Sequence, residues 1–212
     1  KGKSFYYYGR VMESLDKVED AMTFYLKAKD VLENSQEYKL LGLMSEGLGN
    51  LNRKQKLFDA ALINFRTSLQ FYSKMPDSLG ISFAYRNIGR VFLYKEQLDS
   101  AYYYFDKALH IADIKKYPSV SSMLLEVGVV HRSAGDYLGA ESYFLSFIEQ
   151  ERNENNLYSG YLALGNLYLY MNRLEDAKMY LALCLKSPNL VIKRDACECL
   201  YDLEKELDNF KG

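Results

Sequence analysis

A glycine returns along this chain at a nearly constant interval, at Gly9, Gly49, Gly89, Gly128 and Gly165, with gaps of 40, 40, 39 and 37 residues. Twelve residues after each stands a second small residue: Ala21, Ala61, Ala101, Ala140 and Ala177. Four further on comes a bulky apolar side chain, Tyr25, Phe65, Phe105, Phe144 or Leu181, and three beyond that Ala28, Ser68, Ala108, Phe147 or Cys184. A four-part pattern kept through five copies marks a tandem array, in which each copy is a supersecondary unit that buries its apolar face against its neighbours.

A polar break falls between each Gly and its Ala: Asp16-Lys17, Lys54-Gln55-Lys56, Glu96-Gln97, Gly135-Asp136 and Asn172-Arg173. The stretches on either side have helical periodicity, so each copy reads as a helix, a turn and a second helix. Glycine inside a helix costs roughly 0.5–1 kcal/mol relative to alanine, which five copies must recover elsewhere. Close approach of the paired helices at the Gly–Ala level supplies the reason, and the aromatic four residues later fills the neighbouring gap.

These residues resemble the tetratricopeptide repeat family, whose pattern runs aromatic, Leu-Gly, Tyr, then Ala, Phe and Ala, often closed by Pro. The third copy reads Tyr85, Ile88-Gly89, Phe92, Ala101, Phe105, Ala108, with Pro118 following. The fifth reads Tyr161, Leu164-Gly165, Tyr168, Ala177, Leu181, Cys184 and Pro188. Most copies exceed the family's usual length and look like the longer forms of bacterial regulatory proteins. The resemblance implies an all-α fold, a right-handed α-α superhelix of five helix-turn-helix repeats over 2–35, 38–75, 78–117, 118–154 and 155–188 within a single domain, 1–212. A C-terminal helix over 189–210 is expected either to cap the stack or to begin a sixth repeat; Tyr201, Leu207 and Asp208-Asn209-Phe210 resemble the end of a first helix and its turn. The chain starts at Lys1 without an initiator Met, which reads as a fragment or mature form of a longer parent.

In the resembled family the first helices line a concave surface. Helical geometry places the residues three before, one after and four after each Gly on that side. Arg10, Asn50, Arg53, Arg86, Arg90 and Arg132 supply forks and amides suited to a carboxylate through charge-assisted hydrogen bonds. Asn and basic residues there resemble the family's carboxylate clamp, in part only, with Tyr6 where a Lys is expected and Arg10 where an Asn is. A solvated polar face is the alternative. Leu125, Val129, Leu162 and Leu169, with Tyr170 and Asn166 beside them, form a more apolar stretch. Such a stretch needs a cover, whether the C-terminal helix, a second copy in a homodimer, or a partner's apolar anchors. The opposite stripe, including His131, reads as the seam between paired helices.

Composition narrows the function classes. A net charge of −1 argues against a nucleic-acid binder, and no apolar run is long enough to span a membrane. Cys184, Cys197 and Cys199 are too few and too clustered for a disulfide framework, and read as small packing residues. No phosphate loop, nucleophile elbow or metalloprotease motif is present, so neither catalytic residue, cofactor nor metal is expected. The expectation is a non-catalytic scaffold that binds a protein or peptide with a carboxylate at one end and apolar anchors at the other. A sensory segment of a larger bacterial regulator and a self-association module are the alternatives.

Overall fold

The computed structural model describes the backbone of residues 1–209 and the side chains of residues 1–205. Among them there is no strand, and the contacts group into two compact units, Lys1–Tyr117 and the segment from Pro118 onward. The first unit holds three antiparallel helix pairs: α1 (Gly2–Ser14) with α2 (Val18–Leu32), α3 (Tyr38–Lys54) with α4 (Phe58–Tyr72), and α5 (Ser78–Tyr94) with α6 (Leu98–Ile114). The second holds α7 (Val120–Ser133) with α8 (Tyr137–Gln150), α9 (Glu154–Tyr170) with α10 (Leu174–Cys184), and then α11 (Leu190–Asn209) against α10 and α9. The turn comparison at the C-terminus rests on the side chains of Leu207, Asp208 and Asn209 and on Phe210, which lie outside the described residues.

The turn within every pair has one construction. The seventh residue after each repeat glycine has a positive φ: Asp16, Lys56, Glu96, Gly135 and Asn172. The next residue donates its N–H five residues back, Lys17 to Met12, Leu57 to Asn52, Gln97 to Phe92, Asp136 to His131 and Arg173 to Tyr168, at 2.8–2.9 Å. That is a Schellman closure, in which a left-handed residue satisfies the last carbonyls of the first helix. The polar breaks are therefore stop signals with a hydrogen-bonding task.

Inside each pair the recurring residues meet. The five alanines Ala21, Ala61, Ala101, Ala140 and Ala177 are buried, as are Tyr25, Phe65, Phe105, Phe144 and Leu181. The nearest atoms to a methyl group placed on Gly9, Gly49, Gly89, Gly128 or Gly165 belong to those bulky side chains, at 2.4–3.1 Å. The glycine thus makes room for the side chain sixteen residues on rather than for the alanine twelve residues on. Both face the first helix one turn apart, and the larger group takes the space at glycine level. Gly47 repeats the device between pairs by admitting the edge of Tyr25, and Gly42 and Gly80 flank Tyr72.

Polar groups are matched across helices as well. Ser68 donates to the Gly42 carbonyl and Ser82 to the Ala108 carbonyl, both at 2.9 Å and both buried. Asp77 caps α5 through the Gly80 N–H, and Asp136 caps α8 through the Gly139 N–H. His131 lies half-buried against Tyr143, its Nδ1 2.7 Å from Asp136.

Candidate functional site

The first helices α1, α3 and α5 build one polar groove in the first unit. Its main part, about 660 Å³, is lined by Asn50, Arg53, Arg86 and Arg90 together with Glu13, Glu46 and Asn87. An adjoining hollow of about 380 Å³ is lined by Tyr6, Arg10, Tyr25, Glu13, Glu46 and Asn50. The five polar candidates of this unit, forty residues apart in sequence, therefore come together along one surface, because each stands one or four residues from a repeat glycine or three before it. Tyr6 is buried, and its hydroxyl accepts from Arg10 at 3.2 Å.

Two carboxylates share the groove with these cations. Tyr25 donates to Glu13 at 2.5 Å, and Glu46 accepts from Tyr72 and from Asn87, each at 3.1 Å. Burial lifts the Glu46 carboxyl above its ordinary value, against the opposing pull of the hydrogen bonds from Tyr72 and Asn87. Burial likewise raises the Tyr25 and Tyr72 phenols, so both remain donors at any physiological pH. Lys54 pairs with Asp16 at the edge of the groove. Glu13 and Glu46 lie on the same helical stripe as the arginines, four residues after Gly9 and three before Gly49. Asn87 stands off that stripe, and nothing in the sequence ties it to Glu46, forty-one residues away.

Arg53 differs from its neighbours. Its guanidinium lies 5.9 Å from the centre of the Tyr94 ring, and its Nε is buried with no hydrogen-bond partner.

The second unit places its candidates differently. Arg132, Asn166, Leu169 and Tyr170 line a hollow of about 570 Å³ with Cys199, Asp202 and Leu203 of α11. Cys199 donates its thiol to the Asn166 side-chain oxygen at 3.3 Å. Leu162 and Leu169 pack beside Ile192 and Ala196, while Leu125 and Val129 pack against the cluster that holds Leu203. These four side chains are partly buried, packed against α11 and the unit's own core, and Leu169 still lines the hollow. Tyr170 remains 68% exposed, stacked on Tyr137.

Among the described residues no group of His, Cys, Asp and Glu side chains is placed to hold a metal ion, and no helix is long and apolar enough to cross a membrane. The tetratricopeptide repeat model matches residues 39–114, and a second model of that name matches residues 158–188. The chain belongs to the tetratricopeptide repeat family. A curated relative, the uncharacterised protein ycf37 of Guillardia theta, is 25% identical over 126 residues, 59% of this chain and 67% of its own length. BtubC of P. vanneervenii superposes with a TM-score of 0.73 at 15% identity, over 90% of this chain and 77% of that one. The tetratricopeptide protein TTC0263 of Thermus thermophilus gives 0.66 at 20% identity, over 95% and 100% of the two chains. YrrB, described as a tetratricopeptide protein with an unusual peptide-binding site, gives 0.59 at 18% identity, over 92% and 90%. At these identities the likeness is one of fold.

Proposed function

We propose that this chain is a protein-interaction scaffold whose first unit grips an extended peptide in the polar groove by an anionic group, a carboxylate, held between Arg53 and the Arg86–Arg90 pair. The convergence of Arg53, Arg86, Arg90 and Asn50 on one groove carries the reading. A carboxylate there meets planar guanidinium forks, each able to offer two parallel hydrogen bonds. The Asn50 amide extends the donor set. Glu13 and Glu46 line both parts of the groove and offer acceptors to backbone N–H groups of the ligand beside its carboxylate. A structural relative described as binding peptide agrees with this use of the fold.

Fluorescence anisotropy tests the reading with a pool of labelled acidic peptides, each made with a free C-terminal carboxylate and again as the amide. The free acids are expected to bind, and Arg53→Gln to weaken them about tenfold or more, the worth of one charge-assisted hydrogen bond. Arg66→Gln, on the exposed side of α4, serves as the control. Equal binding of acid and amide, together with no loss in Arg53→Gln, refutes the proposal.

A further inference from the structure

We infer that the second unit carries an anchoring site of its own, the hollow lined by Arg132, Asn166 and Tyr170, for an acidic side chain of an extended partner peptide. The repeat carries the argument. Two of the junctions between consecutive repeats have arginine four residues after the first glycine. In both, aromatic residues stand nine after that glycine and five after the next: Arg53, Phe58 and Tyr94, then Arg132, Tyr137 and Tyr170. The other two junctions have neither, with Glu13, Val18 and Lys54 in one and Leu93, Leu98 and Ser133 in the other. The arginine and its two aromatics come together or not at all.

Both sets share one construction. The Phe58 and Tyr94 rings stack at 5.9 Å with 7° between their planes, and Tyr137 and Tyr170 stack at 6.2 Å with 18°. Tyr94 and Tyr170 are nevertheless 59% and 68% exposed, Tyr170 with α11 packed on its own helix α9. Core filling does not account for ring pairs left in water. A wall beside the arginine does: Arg53 lies 5.9 Å from the Tyr94 ring centre, and a guanidinium on an aromatic face holds its planar fork in one orientation. In the second unit Arg132 and Tyr170 line the same hollow of about 570 Å³. The Asn166 oxygen is taken by the Cys199 thiol, which leaves its two N–H donors for a ligand, and Asn172 adds a further amide. A fork and amide donors on one surface suit a carboxylate. Leu169 and Leu174 line the hollow as well, so the residues flanking the acid are apolar. Asp202, exposed at the rim, opposes an anion and keeps the affinity moderate.

Nitrogen-15 NMR on the whole 212-residue chain is the test, with the blocked peptides acetyl-Leu-Asp-Leu-amide and acetyl-Leu-Asn-Leu-amide, alike in shape and different in charge. The Asp peptide is expected to shift the side-chain amide signals of Asn166 and Asn172 saturably. The Asn peptide is expected to bind about tenfold more weakly, the worth of one charge-assisted hydrogen bond. Arg132→Gln is expected to abolish that preference and Arg53→Gln to leave it unchanged, so a failure of the first groove and a failure here are read separately. Asp202→Asn is expected to tighten the Asp peptide about twofold, since an exposed charge is worth little more. Absence of a saturable shift at Asn166 and Asn172 overturns the inference, as does equal affinity for the two peptides. So does a preference that Arg132→Gln, folded by circular dichroism, retains or, should that variant misfold, an Asp peptide that Asp202→Asn binds no more tightly.

Discussion

Gly49 in α3 lies so close beneath the Phe65 ring of α4 that a methyl group on it would stand 2.5 Å from ring carbon Cε1. Both are buried, and the ring has the packed core on its other side. The same relationship holds between Gly128 and Phe144, at 2.4 Å, but is looser between Gly89 and Phe105, at 3.1 Å.

Alanine at these places gains helix propensity and loses fit. Overpacking of this kind costs about 1–3 kcal/mol, and the propensity gain returns up to about 1. Gly49→Ala and Gly128→Ala are therefore expected to lower stability by about 1–2 kcal/mol in urea denaturation, and Gly89→Ala to change it by less than about 0.5 kcal/mol, by the same two effects in near balance.

The Schellman turns give a second, opposite pair. Gly135 sits at φ +80°, and Gly135→Ala is expected to cost about 1 kcal/mol, because a β-carbon crowds the following carbonyl there. Glu96 already bears that strain at φ 59°. Glu96→Gly relieves it at the expense of a floppier unfolded chain, for a net gain of a few tenths of a kcal/mol in the same denaturation.

Glu46 gives the groove a pH signature. Its ordinary carboxyl value is 4.5, and burial raises it in the folded chain. The folded state then holds the proton more tightly than the unfolded state, so this group's contribution to stability is present in acid. It is lost as pH rises from about 4.5 through the raised folded value, and stays level above. Glu46→Gln is expected to remove that decline, and urea midpoints of the two chains measured across this range are expected to converge toward acid.

The three cysteines are ranked by exposure. Burial pushes the Cys184 thiol up to about 11. Cys199 is half-buried, and burial with the nearby carboxylates of Asp202, Asp195 and Glu198 raises its thiol too, while Cys197 is exposed. Titration with a thiol reagent at neutral pH is expected to modify Cys197 within the mixing phase and Cys199 slowly. Cys184 is expected to react only when the second unit unfolds.

Five spaced glycines, their alanines and their aromatics determined by themselves that this chain folds as helix pairs, and where each pair turns. Those features depend on contacts within about twenty residues, and local spacing records them. The stripe through Arg10, Asn50, Arg53, Arg86 and Arg90 was legible for the same reason, since helical period and repeat period together fix a common face. Three things waited on the tertiary structure. Glu46 proved to be tied to Tyr72 and Asn87, partners on α4 and α5 whose meeting depends on how pairs stack. The apolar stretch at Leu162 and Leu169 proved to pack in part against α11, one of several covers its sequence allowed. Tyr170 proved to stack on Tyr137 at the hollow that Arg132 lines. Each depends on which surface of one helix meets another, and a single-helix pattern assigns a residue to a side without naming what stands opposite.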